Sequence, residues 1–194
     1  MTESRLQQTL AAIDHVNSED TNTEVVDGQP QPKELIYGRR MSECLATYAP
    51  DASEALQIAA RGQHIKRWAI PRDQYPKTRA GYLQWRRELG KFHAEQVAEL
   101  MGDNGYDEAT IDATKVLLTK AQLRNNRDAQ TLEDVICLVF IQFYLTGFAN
   151  TQAPEKLITI VQKTWAKMSQ KGQDAALKLT LSDAQKAVIE KALA

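Results

Sequence analysis

With 194 residues, 43% hydrophobic and 25% charged, the chain has the size and makeup of one ordinary globular domain, able to bury roughly 70% of its unfolded surface. Its 24 Lys and Arg almost balance 25 Asp and Glu, which argues against indiscriminate binding to nucleic acid, since that mode draws on a broad excess of positive charge. The two cysteines lack metal-ligand spacing, the start is not basic-then-apolar, and no 18 apolar residues run together, so a cytoplasmic protein with reduced thiols and no membrane span is expected.

In chain order, Leu6, Leu10, Ile13 and Val16 repeat at intervals of three and four and predict a helix over Ser4 to Val16. The polar NSEDTNTEVVDGQPQP that follows has no period and ends in Pro30 and Pro32. It reads as a loop or an extended arm on the surface, whose acids could lie across the basic stretch described below. Leu35, Ile36, Met41, Leu45 and Tyr48 suit a helix over 34–48, closed by Pro50, and Asp51 with Glu54 has the pattern of a capping box opening a second helix to about Trp68. Pro71 and Pro76 forbid continuation, so IPRDQYPKT is a connection.

A long helix should run from about Arg79 to Met101, stopped by Gly102 and Gly105, with Tyr82 and Trp85 among its core-facing residues. Another should span Asp107 to Leu123, NNRDAQ a turn, and Thr131 should open TLEDVICLVFIQFYLTGF, apolar nearly all round and so the central helix. Pro154 suits the first turn of a helix through Trp165 and Met168, and Ser182 caps a last one to Leu193. No strand shows sustained alternation. The expected fold is all-α and single-domain: an N-terminal helix and arm (1–33), a helical core (34–148) and C-terminal helices (149–194).

One stretch stands apart. Arg61 to His93 holds nine of the Lys and Arg against only Asp73 and Glu88, a local charge of +7. Crowded cations repel one another, and an anion relieves that cost, so a phosphate-bearing ligand is the first guess. Arg61, Arg67, Arg72, Arg79 and Arg86 are the candidate cradle, because guanidinium groups grip phosphate in a bidentate way. A solvated face whose arginines pair with acids elsewhere explains the same residues about equally well. Trp68 and Tyr75 flank the loop and are candidates for stacking on a base.

His64 and His93 fall on successive predicted helices, and a divalent metal could bridge them with Glu133 and Asp134 from the apolar helix as oxygen ligands. Ionised groups in so apolar a helix are costly unless paired or ligating. Against this, acids in a first helical turn and a histidine at a helix end are also what helix dipoles favour. KMSQK at 167–171 looks like the KMSKS signature of class I aminoacyl-tRNA synthetases, but that chemistry sits on an α/β fold and no βαβ pattern occurs here.

HIKRWAIPR, YPKTRAGYLQWRRELGKFHAE and TLEDVICLVF, with AIDHVNSED, PKELIYGRRMSE and KTWAKMS, resemble the domain-of-unknown-function 4202 family over most of the chain. More distantly, AARGQHIKRW resembles the helix of HD-superfamily phosphohydrolases that carries their His-Asp pair, with His64 at the His position and Ile65 where the Asp would stand. The stretch holding His93 and the segment EDVICLVF, with Asp134, resemble those that complete that superfamily's metal site. That resemblance implies a divalent metal on His64, His93 and Asp134 that activates water, with Glu43 or Glu133 as general base and a nucleotide or other phosphorylated small molecule held by the arginines. The rival expectation is a non-catalytic module, its metal site degenerate, that binds an anionic ligand or an RNA end. A scaffold or homodimer using the acidic 17–32 segment is a third.

Overall fold

Side chains set where the helices begin. In a computed structural model that describes residues 3–121 and 126–194, Ser4, Ser53, Thr78, Asp107, Asn126, Ser169 and Ser182 each accept a hydrogen bond from the backbone amide three residues on. Each cap contributes about 1 kcal/mol. The elements so started are α1 (Arg5–Asn17), α3 (Glu54–Arg61), α4 (Arg79–Asp103), α5 (Glu108–Thr119), α6 (Arg127–Val139), α9 (Gln170–Ala176) and α10 (Asp183–Leu193). α2 (Lys33–Tyr48) and α8 (Pro154–Lys167) follow prolines or carry one at the first turn. α6 runs on through a π turn, Phe140–Tyr144, into α7 (Leu145–Ala149). The fold is an all-α bundle, 72% helical.

Two apolar clusters share α6. Ile13, Met41, Leu45, Leu56, Ile58, Val97 and Met101, from α1 to α4, close on Leu132, Val135 and Val139 of α6. Leu157, Val161, Met168, Ala176 and Ile189, from the C-terminal helices, close on Cys137, Leu138, Ile141 and Leu145. Cys44 and Tyr48 of α2 touch both.

Several boundaries differ from those expected. The arm is a β-hairpin, β1 (Thr23–Val26) against β2 (Gln29–Pro32), turning at Asp27 and Gly28, both at positive φ. A two-residue Asp-Gly connection at positive φ matches the right-handed twist of the strands it joins, and that short signal outweighed the missing alternation. Glu24 of the hairpin pairs with Arg40 on α2 and not with the basic stretch, while Asp20 accepts the Glu34 N–H and so fastens the hairpin to the start of α2.

Ser53, not Asp51, caps α3, which stops at Arg61 instead of reaching Trp68. A Cβ on Gly62 would lie 2.5 Å from Val97, so the chain there passes against α4 too closely for a side chain. α6 starts at Arg127, four residues ahead of Thr131. α9 was not expected, and Tyr82 is solvent-exposed, whereas Trp85 is buried. The far end of the helix expected to reach Leu123 lies outside the described residues.

Candidate functional site

The turn after α3 is built in a conformation that costs energy. Lys66 adopts left-handed backbone angles (φ 50°), and its N–H is held by the Oδ1 of Asn17, the buried last residue of α1, at 3.0 Å. Lys120, which ends α5, is also left-handed (φ 56°). Non-glycine residues persist there only where surroundings over-determine them, and such residues gather at functional sites. Between these two points lies a polar cleft.

The cleft has two compartments. The outer, about 330 Å³, is walled by α2, the turn after α3, α4, α6 and α8. The inner, about 220 Å³, lies between that turn, α4 and the end of α5. Gln63, His64, Arg67, Arg86 and Lys120 border both.

At the centre His64 is held on every side. Its Nδ1 is 3.0 Å from Glu34 Oε2, Arg67 Nη1 is 2.9 Å from its Nε2, and the Tyr37 ring stacks on it at 3.8 Å between centroids. A guanidinium can only donate, so Nε2 accepts and Nδ1 carries the proton that Glu34 receives. Burial, then the nearby Arg67 charge, holds His64 well below its usual range, so it is neutral at pH 7. Burial pushes the Glu34 carboxyl up to about 7 against the opposing pull of Arg67. Arg67 itself lies over the Trp85 ring, whose Nε1–H is donated to the Ile70 carbonyl.

Five cationic side chains line the outer compartment, Lys33, Arg67, Arg86, Lys120 and Lys167, against the carboxylates of Glu34 and Glu133. Glu133 is engaged by Lys120 at 2.6 Å and Lys167 at 3.7 Å, and Arg67 by His64 and Glu34. Arg86 and Lys33 pair with no carboxylate among the described residues. Cys137 also borders the cleft, but burial pushes its thiol up to about 12, which removes it as a nucleophile.

The residues singled out in the sequence divide sharply. His64, Arg67, Arg86 and Glu133 stand at the outer compartment and His93 at the inner one, its ring 6.2 Å from that of His64. Asp134 does not join them. Consecutive residues on a helix point about 100° apart, so only one of the adjacent acids can face the cleft. Glu133 does, while Asp134 turns to the far side and receives Ser169 N–H, Ser169 Oγ–H, Tyr48 O–H and Gln130 Nε2–H. The expected ligand trio is therefore not assembled, and among the described residues no group of three or more His, Cys, Asp or Glu could hold a metal ion. His64 has no lone pair left for one, its Nε2 being taken by Arg67.

The other corrections are of the same kind. Glu43 is exposed beside a separate apolar groove with Cys44, Leu138 and Phe143. Arg61 is turned to Asp14 at 3.4 Å, Arg72 clamps the carbonyls of Tyr75 and Pro76, and Arg79 projects into solvent, so the five-arginine cradle reduces to Arg67 and Arg86. Trp68 borders neither compartment and Tyr75 donates its hydroxyl to Glu88, so neither offers a stacking platform at the cleft. The aromatic rings that do border it are Tyr37, Phe140 and Tyr144, the last two placed by the π turn. Glu34, Lys33 and Lys120 were not singled out. The available signal for Glu34 was its position: it shares one helical stripe with Gly38, Met41 and Leu45, all buried.

Fold and site together define an all-α protein with a cationic, histidine-centred cleft between its helices. The chain belongs to the family described as a domain of unknown function, DUF4202, whose model matches residues 7–189. Comparison with curated proteins and with solved structures gave no match.

Proposed function

We propose that the chain binds a small phosphorylated molecule, a sugar phosphate or nucleotide, in this cleft. The observation that carries the reading is the uncompensated positive charge in an enclosed space, above all Arg86, which borders both compartments without a carboxylate partner among the described residues. Cations held in a concave, partly apolar wall attract anions more strongly than the same charges on open surface, because the field is focused and screening is weak. The compartment volumes suit a small molecule better than a polymer. No step is assigned to a divalent metal, since the residues expected to hold one do not meet.

A hydrolytic version of this reading, in keeping with the distant resemblance to HD-superfamily phosphohydrolases, is favoured by the Glu34–His64 pair. An arriving phosphate that drew Arg67 to itself would free His64 Nε2 as a base beside the ester, with Glu34 accepting from Nδ1–H and steadying the imidazolium. Burial is the larger reason that His64 is neutral, and the anion would offset the smaller part that comes from the neighbouring cations.

The test is calorimetry on metal-stripped protein in chelator, with inorganic phosphate, ribose 5-phosphate and nucleoside monophosphates. Binding should survive chelation, weaken as salt rises, and fall about tenfold or more in Arg86→Gln, the loss expected for one hydrogen bond to a charged group. No binding at millimolar ligand, or binding only with an added divalent ion, removes the reading. Phosphate release that persists in chelator and disappears in His64→Ala would establish the hydrolytic version, and its absence with binding intact would leave a binding protein.

A further inference from the structure

The inner compartment is bordered by two residues that each carry a buried acceptor without a hydrogen-bond partner among the described residues. His93 is 3% exposed, and its Nδ1 sits 2.7 Å from the Ile65 carbonyl. A carbonyl only accepts, so Nδ1 carries the ring proton of the neutral imidazole and Nε2 is left with a bare lone pair. That nitrogen is enclosed and has no partner among the described residues. Burial, then the neighbouring His64, holds His93 down to about 3, so it does not become a donor near neutral pH. On the same compartment Gln63, 6% exposed, has its side-chain Oε1 enclosed and likewise without a partner among the described residues.

Leaving an enclosed acceptor unmade is costly, and native proteins do so rarely, so each such atom calls for a donor from outside the chain. The chemistry required is unlike that of the cations around it. Arg67, Arg86 and Lys120, at the junction of the compartments, offer only donors and call for an anion. His93 and Gln63 Oε1 offer only lone pairs and call for a donor. A phosphate dianion meets the first need and opposes the second, because its oxygens would face lone pairs. One molecule that carries both a phosphate and hydroxyl groups meets both. The walls beside His93 are Leu89, Gly90 and Leu118, with no Phe, Tyr or Trp among the described residues of this compartment, and Gly90 brings the α4 backbone close to the Leu118 carbonyl.

We propose that the occupant is a phosphomonoester of a hydroxyl-bearing carbon chain, a polyol or sugar phosphate. Its phosphate lies among Arg67, Arg86 and Lys120, and its hydroxyls donate to His93 Nε2 and Gln63 Oε1. The inference rests on the phosphate-binding reading above and adds the half of the ligand which that reading leaves open. It makes His93 and Gln63 specificity-determining residues for the organic portion and leaves phosphate affinity to the cations.

The experiment compares glycerol 3-phosphate with propyl phosphate, which has the same charge and carbon count but no hydroxyl, by calorimetry on the full chain. The hydroxylated ester should bind the wild-type protein at least about tenfold more tightly, the difference expected when a buried acceptor is satisfied in one complex and stranded in the other. In His93→Leu and in Gln63→Leu that preference should shrink toward unity while propyl phosphate binds as before. The comparison within wild-type protein decides the matter even if one variant fails to fold. Equal affinity for the two esters in wild type overturns the inference and leaves the phosphate reading standing. No affinity for either overturns both.

Discussion

Asp134 shows how little a residue's type says about its role. It is 1% exposed, and its place in an apolar helix made it a natural metal ligand in the sequence, yet four donors, one from α2, one from α6 itself and two from Ser169 between α8 and α9, converge on its two oxygens. The same convergence explains Gly172, where a Cβ would lie 2.7 Å from the Asp134 carboxyl. Asp134→Ala should therefore lower unfolding free energy by about 3 kcal/mol in urea titrations, because Tyr48 and the Ser169 amide lose their acceptor. Phosphate-ester affinity should not change, and a selective loss of affinity with stability intact would contradict this structural role. Adjacent acids on α6 were visible as a pair in the sequence. Which one faced the cleft depended on the rotation of the helix, and composition does not encode that angle. Glu34 escaped notice for the opposite reason, since an acid in a first helical turn is ordinarily a dipole partner.

At the level of elements, helices with strong caps and periodic apolar faces were legible almost to the residue. α1, α4, α8 and α10 begin within a residue or two of where Ser4, Arg79, Pro154 and Ser182 placed them. Elements set by a single local conformation were not. The hairpin depends on Asp27 and Gly28, and α3 ends at Arg61, where Gly62 passes close against α4, before a left-handed Lys66 redirects the chain. Gly28 has open space around a would-be Cβ but sits at φ +77°, so Gly28→Ala meets strain without a clash. It should cost about 1 kcal/mol by thermal or denaturant unfolding. A neutral result would show that the hairpin adds nothing to the stability of the bundle despite the Asp20 bond to α2. The π turn is a further element without a sequence rule, although it sets Phe140 and Tyr144 at the cleft and Phe143 at the groove behind it.

Over the whole molecule, the cleft makes stability depend on pH in a way that its three inner groups define. His93, held at about 3, and His64, held well below 6.5, contribute stability that is complete above pH 6.5 and is lost on acidification, when the unfolded chain takes up protons that the folded one refuses. Glu34, raised from 4.5 to about 7, acts oppositely: the folded protein keeps a proton that the unfolded chain releases, so its contribution is present in acid and lost as pH rises through 7. Between pH 6.5 and 4.5 the two histidines and Glu34 oppose one another, and with two groups against one stability should fall on acidification. Denaturant midpoints from about pH 6.5 down to about pH 5 should fall more steeply in Glu34→Gln and less steeply in His93→Gln than in the wild-type protein. Parallel slopes in all three proteins would contradict the assignment. That the chain is all-α was plain from its periodicities, but the meeting of His64 with Glu34 joins residues 30 positions apart, and such proximity is a property of the packed bundle.

α6 and its continuation through α7 have a further consequence. The segment Arg127–Ala149 is, by length and composition, apolar enough to cross a bilayer, with a mean hydropathy of 1.6 over 18 of its residues. Here its two flanks are spoken for by opposite halves of the polypeptide, the earlier helices on Val135 and Val139 and the later ones on Leu138, Ile141 and Leu145. During synthesis the first flank can find its partners as soon as the segment leaves the ribosome, whereas the second stays bare until α8 to α10 have been made. For that interval the nascent chain presents an oily ridge to whatever else is nearby, so shielding by a chaperone would matter most late in translation.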